Sequence, residues 1–173
     1  MKGGVGKSSS ATALSAILTE RGYRTLLIDC DQQCNSTDTY RAETEGAATV
    51  YDVLLDDSRI SVSEAVQHTE CGAIVAGDSL LRQTDEKLKG SVDGLYRMAD
   101  ALEKCEGYDY IIIDCSPSLG LITVNSLTAR SLAQTDIPLY YRIEHHILEM
   151  FLQLVQHLGM HLRAAIEHRH HKT

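Results

Sequence analysis

The sequence has 173 residues, of which 43% are hydrophobic and 23% are charged, and its formal net charge is -8. This length and composition predict one globular domain with a sizeable buried core. No segment approaches the roughly 18 consecutive apolar residues that a membrane span needs, and the acidic balance argues against a chain that coats nucleic acid as a polycation.

The cysteines and the first residues predict a cytoplasmic protein. There are five cysteines, an odd number, and none of them form a C-x-x-C pair. A disulfide framework has an even number of cysteines, so the count favours reduced thiols. The sequence opens with polar, glycine-rich residues rather than an apolar stretch, so we expect no signal peptide.

The first motif is a predicted phosphate-binding loop, Lys2-Gly3-Gly4-Val5-Gly6-Lys7-Ser8-Ser9. Glycines let consecutive amide groups point into one cavity, and the positive end of the following helix favours an anion there. Lys7 would reach the β- and γ-phosphates, and the Ser8 hydroxyl would ligate Mg²⁺. The generic motif has glycine at the position of Met1, so this loop is a variant with a second lysine, Lys2. The alternative is an ordinary glycine turn that caps a helix. The predicted phosphate-binding residues are Gly3, Gly4, Val5, Gly6, Lys7, Ser8 and Ser9.

Helices and strands alternate after this loop. Residues 8–24 have apolar side chains at helical spacing, and Gly22 is the expected stop. Residues 25–29 and 110–114 are apolar runs that end in an acid, as buried parallel strands do, and residues 72–77 are a third short strand. The alternation predicts an α/β fold with a mostly parallel sheet covered by helices on both faces. Together with the phosphate-binding loop it resembles the fold of P-loop NTPases.

The other segments are assigned from the same patterns. Residues 30–48 are polar and predict a loop, and residues 136–143 are a candidate strand with Pro138 near its start. Further helices are predicted at residues 49–57, 61–69, 91–107, 122–133 and 144–158.

Three acids are expected at one edge of this sheet. Asp114 follows three isoleucines, and Asp29 and Asp31 follow the apolar run at 25–28. Open α/β sheets bind ligands beyond the carboxyl ends of their strands. Asp114 there would be a Walker B acid that orients water on Mg²⁺, while one of the other two acids would support the metal and one would orient the attacking water. The alternative is a set of acids that simply face solvent.

The motifs together resemble those of the ParA/MinD (Soj-like) partition ATPases. The loop resembles the family's deviant Walker A motif, and the acids at 29 and 31 lie in a segment similar to its DxDPQxN element, with Gln32 in place of proline. Residues 108–120, YDYIIIDCSPSLG, and 122–129, ITVNSLTA, continue the match. The resemblance covers residues 2–129.

The resemblance implies an ATPase that forms a nucleotide sandwich dimer with ATP and Mg²⁺. Lys2 would cross the interface to the partner's ATP, and with Lys7 and Asp31 it would form the catalytic set. Asp31 would govern the attacking water. The metal would be held by Ser8 and supported by Asp29 and Asp114. In such a family ATP binding drives dimerisation and non-specific DNA binding, and a ParB-like centromere-binding protein stimulates hydrolysis.

The sequence departs from the family at both ends. The family has an apolar strand before the loop, so we expect this chain to be truncated, with neighbouring sheet edges left unpaired. After Ala129 the family's next apolar strand is interrupted by polar residues, and the histidines become frequent. We therefore divide the chain into an ATPase core, residues 1–129, and a divergent C-terminal helical segment, residues 130–173. Adenine contacts are not assigned to any residue.

Two other functions remain open. One is a MinD-like positioning ATPase, which would need an amphipathic C-terminal helix for the membrane surface. The other is a truncated remnant that binds nucleotide or a partner without turnover.

Overall fold

A five-stranded sheet organises the part of the chain that a computed structural model describes. The described residues are 6–55, 60–88, 94, 96–103, 105–116, 120–132 and 139–141. The strands of the sheet are β1 (Thr25–Cys30), β2 (Val66–Thr69), β3 (Gly72–Val75), β4 (Tyr110–Cys115) and β5 (Leu139–Tyr141). Their order is β2-β3-β1-β4-β5. β1 is central and runs parallel to β3 and β4, β5 runs parallel to β4, and β2 is antiparallel to β3.

Among the described residues, helices alternate with the strands along the chain except between β2 and β3, which are consecutive. The helices are α1 (Lys7–Glu20), α2 (Asn35–Tyr40), α3 (Val50–Leu55), α4 (Val62–Ala65), a 3-10 helix (Ser79–Gln83), α5 (Thr84–Leu88), α6 (Arg97–Leu102) and α7 (Leu121–Leu132). Within these elements no helix has the length and apolar character to cross a membrane. All described residues belong to one unit, which lies within residues 1–142.

The two faces of the sheet have different cores. Alternate side chains of β1 point to opposite faces, so Leu26 and Ile28 join the larger cluster, which includes Met98 and Leu102 of α6. Leu27 points to the other face, where the smaller cluster contains Leu18, Tyr40, Ile74 and Ile112. All six residues of β1 are buried, as expected for a central strand covered on both sides.

The predicted fold class is confirmed: the sheet is mostly parallel and carries helices around it. β1, β3 and β4 lie where the apolar runs predict them, and α1 ends before Gly22, which has the positive φ expected of a helix stop. The strand expected in residues 136–143 forms over Leu139–Tyr141. The helix predicted at 144–158 lies outside the described residues.

Three expectations are wrong. Residues 66–69 form β2 instead of continuing a helix, because they pair with β3 across the tight turn at Glu70 and Cys71. The segment 30–48 is not all loop, since it contains α2. The edge of β4 that faces away from β1 is not unpaired, because β5 pairs with it over Ile111–Ile113.

Candidate functional site

The start of α1 has the backbone expected of an anion-binding turn. Gly6 precedes the helix with φ 82°, a left-handed conformation that favours glycine. Its carbonyl accepts the amide of Ser10 at 2.8 Å and so begins the helical pattern. Glycine has no side chain to cap the first amides of a helix, and these are the groups that a phosphate oxygen can use as donors.

Lys7 and Ser8, the first two residues of α1, lie beside the acid at the end of β4. Both lie close enough to Asp114 to act against the rise in its pKa, Ser8 through its hydroxyl and Lys7 through its charge. The sequence predicts these three residues in one site, and the structure has them near one another.

The two strand-end acids are neighbours in register. Asp29 of β1 pairs with Asp114 of β4 across the parallel ladder, so their Cα atoms are adjacent on neighbouring strands. Both are buried, with 0% and 3% of their surface exposed. Burial raises the pKa of Asp29 to about 6, although hydrogen bonds from Thr37 and Asp31 act against the shift. Burial also raises the pKa of Asp114, against hydrogen bonds from Ser8 and Ser36 and the charge of Lys7.

Asp31 lies just beyond β1 and is also buried. Its amide donates to Asp29 Oδ1 at 3.1 Å, and its own Oδ1 accepts the Gln33 amide at 3.0 Å. The charge of Asp31 contributes to the raised pKa of Asp114. The third predicted acid therefore belongs to the same cluster.

Asp29 is already well supplied with hydrogen-bond donors. Its Oδ2 accepts both the amide of Thr37 at 2.8 Å and the Thr37 hydroxyl at 2.7 Å. The backbone of Gly77 packs so closely that a Cβ there would come within 2.9 Å of the Asp29 carbonyl oxygen. The Asp29 residue therefore connects α2 and the segment after β3 to β1. A metal would have to share the carboxylate oxygens with Thr37 and Asp31.

Two functional candidates that the sequence did not reveal are Ser36 and Thr37, in the first turn of α2. The Ser36 hydroxyl donates to Asp114 Oδ2 at 2.7 Å, and both residues are buried. The Thr37 hydroxyl, besides donating to Asp29, accepts the Gly77 amide at 2.7 Å. The available signal was the polar run Asn35-Ser36-Thr37 directly after two acids, where hydroxyls serve as short hydrogen-bond donors.

The donor set fits Mg²⁺ bound together with a phosphate. Across the described residues there is no group of three His, Cys, Asp or Glu side chains that would hold a metal alone. Mg²⁺ is commonly held by one or two protein oxygens together with waters and phosphate oxygens. A hydroxyl on α1 beside a buried carboxylate on β4 matches that requirement.

The remaining predicted site residues are only partly described. Ser9 is exposed, and its carbonyl accepts the Thr12 hydroxyl at 3.2 Å. Lys2, Gly3, Gly4 and Val5 lie outside the described residues.

The chain is similar to known partition proteins. A family model described as an AAA domain matches residues 1–165. The sporulation initiation inhibitor protein Soj of Bacillus subtilis is 35% identical over 156 residues, which cover 89% of this chain and 60% of Soj. The chromosome partitioning protein ParA of Caulobacter vibrioides is 37% identical over 160 residues, which cover 90% of this chain and 58% of that protein. The chain thus spans about 60% of the length of these relatives.

Solved structures of similar proteins share the fold. Cobyrinic acid a,c-diamide synthase of Mycobacterium smegmatis, with bound ATP analog and magnesium, has a TM-score of 0.72 and 30% identity, over 92% of this chain and 65% of that one. Apo McdA of Cyanothece has a TM-score of 0.65 and 27% identity, over 73% of this chain and 51% of that one.

Proposed function

This chain belongs to the ParA/Soj-like family of partition ATPases, and we propose that it binds ATP with Mg²⁺ and hydrolyses the nucleotide in DNA segregation. The observation that carries the proposal is the pair of buried acids Asp29 and Asp114 on adjacent strands, with Asp31 bonded to Asp29. The glycine turn that begins α1 lies near this pair, since Lys7 and Ser8 act on the pKa of Asp114. A similar solved enzyme binds an ATP analog and magnesium, which supports the choice of ligand.

In this proposal the phosphates bind at the start of α1. The left-handed Gly6 turns the chain so that the first amides of the helix face the anion, and Lys7 adds the positive charge. The other loop residues, Gly3, Gly4, Val5 and Ser9, contribute backbone donors to the same cradle.

Ser8 and Asp114 would hold Mg²⁺, whose charge offsets that of the phosphates. A hydroxyl that donates its proton to a carboxylate keeps its oxygen lone pairs for a cation. Ser8 can therefore bind Asp114 and the metal at once, while Asp114 orients it. Asp29 would support the metal less directly, by fixing the segment that contains Asp31.

Asp31 would orient the attacking water. It lies close enough to Asp114 for its charge to raise the pKa of that group, and so it lies beside the expected metal. Phosphoryl transfer needs positioning of the nucleophile more than covalent help from the protein, and a fixed carboxylate supplies that.

The wider functional cycle follows from the family. We propose that ATP joins two copies of the chain into a sandwich dimer, with Lys2 reaching the partner's nucleotide. A ParB-like protein would stimulate hydrolysis. The ATP-bound dimer would bind DNA non-specifically, and the protein would act in the cytoplasm.

The decisive experiment is ATP binding by Lys7→Ala, measured by calorimetry with Mg²⁺. We expect affinity to fall about tenfold to a hundredfold, since hydrogen bonds to charged groups contribute about 1.5–3 kcal/mol. The control is Lys87→Ala, which removes an amine that lies 5.0 Å from the centre of the Tyr51 ring and should leave binding unchanged. Unchanged affinity in Lys7→Ala would refute the phosphate site. Tight binding by the unaltered chain without any turnover would instead favour a remnant that only binds nucleotide.

A further inference from the structure

The first turn of α2 forms hydrogen bonds with two acids that lie on two different strands. Ser36 and Thr37 are consecutive, and 0% and 2% of their surface is exposed. One hydroxyl donates to Asp114 of β4 and the other to Asp29 of β1, each at 2.7 Å. Since these acids are register neighbours, two adjacent side chains of a helix span one strand pair.

These hydrogen bonds hold both ends of the segment from Asp29 to Ser36, which contains Asp31. At its start, the Asp31 amide is bonded to the Asp29 carboxylate. At its end, the chain turns through Cys34, whose φ of 54° is left-handed, and the Cys34 amide donates to the Asp31 carbonyl at 2.9 Å. Ser36 follows two residues later and ties the segment to β4. A movement of Asp31 is thereby linked to Asp114.

The carboxylate of Asp114 has hydroxyl groups of two helices near it. The Ser36 hydroxyl of α2 donates to its Oδ2 at 2.7 Å, and the Ser8 hydroxyl of α1 lies close enough to act on its pKa. The bond from Ser36 therefore sets the orientation of the carboxylate. Without Ser36, one oxygen of a buried carboxylate loses its partner, and the group can rotate away from the orientation that Ser8 needs.

We propose that Ser36 is a positioning residue for ATP hydrolysis: its hydroxyl holds Asp114 in the metal-binding orientation and couples it to the Asp31 segment. This inference rests on the proposed ATPase function. It assigns Ser36 no contact with nucleotide, since it acts through Asp114. Partners of this kind, one step removed from a metal, commonly change metal affinity or activity by about 10- to 100-fold.

The test compares Ser36→Ala with Thr39→Ala. Thr39 lies on the same short helix, but its hydroxyl donates to the Asn35 carbonyl at 2.8 Å and touches neither acid. For each variant we would measure turnover at saturating ATP, the Mg²⁺ concentration at half-maximal rate, the Mg²⁺ dependence of ATP affinity by calorimetry, and the melting temperature. The calorimetric arm reports on the metal without any need for turnover.

For Ser36→Ala we expect turnover to fall about 10- to 100-fold and the half-maximal Mg²⁺ concentration to rise about tenfold. ATP affinity without Mg²⁺ should stay within about threefold of the unaltered chain, because the phosphate loop is intact. Thr39→Ala should match the unaltered chain throughout. If Ser36→Ala does not fold, Ser36→Cys replaces it, because a thiol of similar size is a weak donor, and the same losses are expected.

Different outcomes overturn different claims. A Ser36→Ala protein with unaltered Mg²⁺ dependence and turnover refutes the positioning role while leaving the ATPase intact. The positioning role is also refuted if the loss of turnover in Ser36→Ala equals the fraction of unfolded protein, or if Thr39→Ala loses turnover equally. An unaltered chain that binds no ATP overturns the proposed function and this inference with it.

Discussion

Carboxylates lie at both ends of the β1–β4 strand pair, but their surroundings are opposite: one end is exposed and ion-paired, and the other is buried. At the amino end, Arg24 and Asp109 form an ion pair at 2.8 Å, and their side chains are 66% and 36% exposed. The Arg24 amide also donates to Asp109 at 2.8 Å. At the carboxyl end, Asp29 and Asp114 are buried and accept hydroxyl and amide donors.

The pKa directions follow from these surroundings. The bond with Arg24 lowers the pKa of Asp109, whereas burial raises the pKa of Asp29 to about 6 and also raises that of Asp114. The amino end therefore favours an ionised acid, as suits a structural contact between strand starts. The carboxyl end keeps its acids at an energetic disadvantage, which a bound cation would relieve. Perturbed acids in a shared cluster are typical of functional sites.

The sharpest test of this difference is Asp31→Ala against Asp109→Ala. We expect Asp31→Ala to lower ATP turnover about a thousandfold, a magnitude within the range for a side chain that assists proton transfer or water attack. ATP affinity should be retained, because the proposed phosphate contacts are made at the start of α1. Asp109→Ala should leave turnover unchanged. Steady-state kinetics and calorimetry decide the matter, and an equal loss of affinity and rate in Asp31→Ala would make this residue structural.

The sequence revealed the strand ends more readily than the helix that holds them. β1 and β4 are unbroken apolar runs followed by an acid, a pattern that few structures other than buried parallel strands produce. For this reason the sequence predicts Asp29, Asp31 and Asp114 at one edge of the sheet, and the structure has them there. That a hydroxyl from α1 joins them followed from the loop motif.

The parts that escaped prediction are stabilised by polar contacts rather than by periodic apolar ones. α2 buries Ser36, Thr37 and Tyr40, so its inward residues carry hydroxyls and no apolar stripe marks the helix. The pattern of residues 61–69 predicts a helix throughout, whereas α4 ends at Ala65 and β2 begins at Val66. Its pairing with β3 depends on a turn at 70–71 that lacks the usual glycine or asparagine signal at its first position.

The second test concerns the cost of burying Asp29. Its pKa in the folded chain, about 6, exceeds the ordinary 3.8, so the folded state binds a proton more readily than the unfolded state. This contribution to stability is present below about pH 4 and is lost as pH rises through about 6, in total about 3 kcal/mol. We would compare urea unfolding of the unaltered chain and Asp29→Asn at several pH values in EDTA.

The difference between the two free energies of unfolding should fall as pH rises, because Asn does not titrate. Adding Mg²⁺ and ATP should reduce this pH dependence, since a cation near the cluster favours ionised acids. A difference that stays constant between about pH 4 and 7 would contradict the buried, unfavourable charge inferred for the carboxyl end.

The smallest expected effect belongs to the amino end and has the opposite sign. Asp109 has a lowered pKa through its bond with Arg24, so its contribution to stability is present above the ordinary pKa and is lost as pH falls through the lowered value. The free energy of unfolding of the unaltered chain should therefore rise relative to that of Asp109→Asn as pH rises toward the ordinary pKa of 3.8, and the difference should level off above it. The pair is exposed to solvent, so about 1 M NaCl should shrink the difference, whereas it should affect the buried Asp29 much less.

Urea midpoints over this pH range, at low and high salt, provide the measurement. If Asp109→Asn and Asp29→Asn showed pH dependences of the same sign, the contrast between a structural and a functional end of the strand pair would be lost.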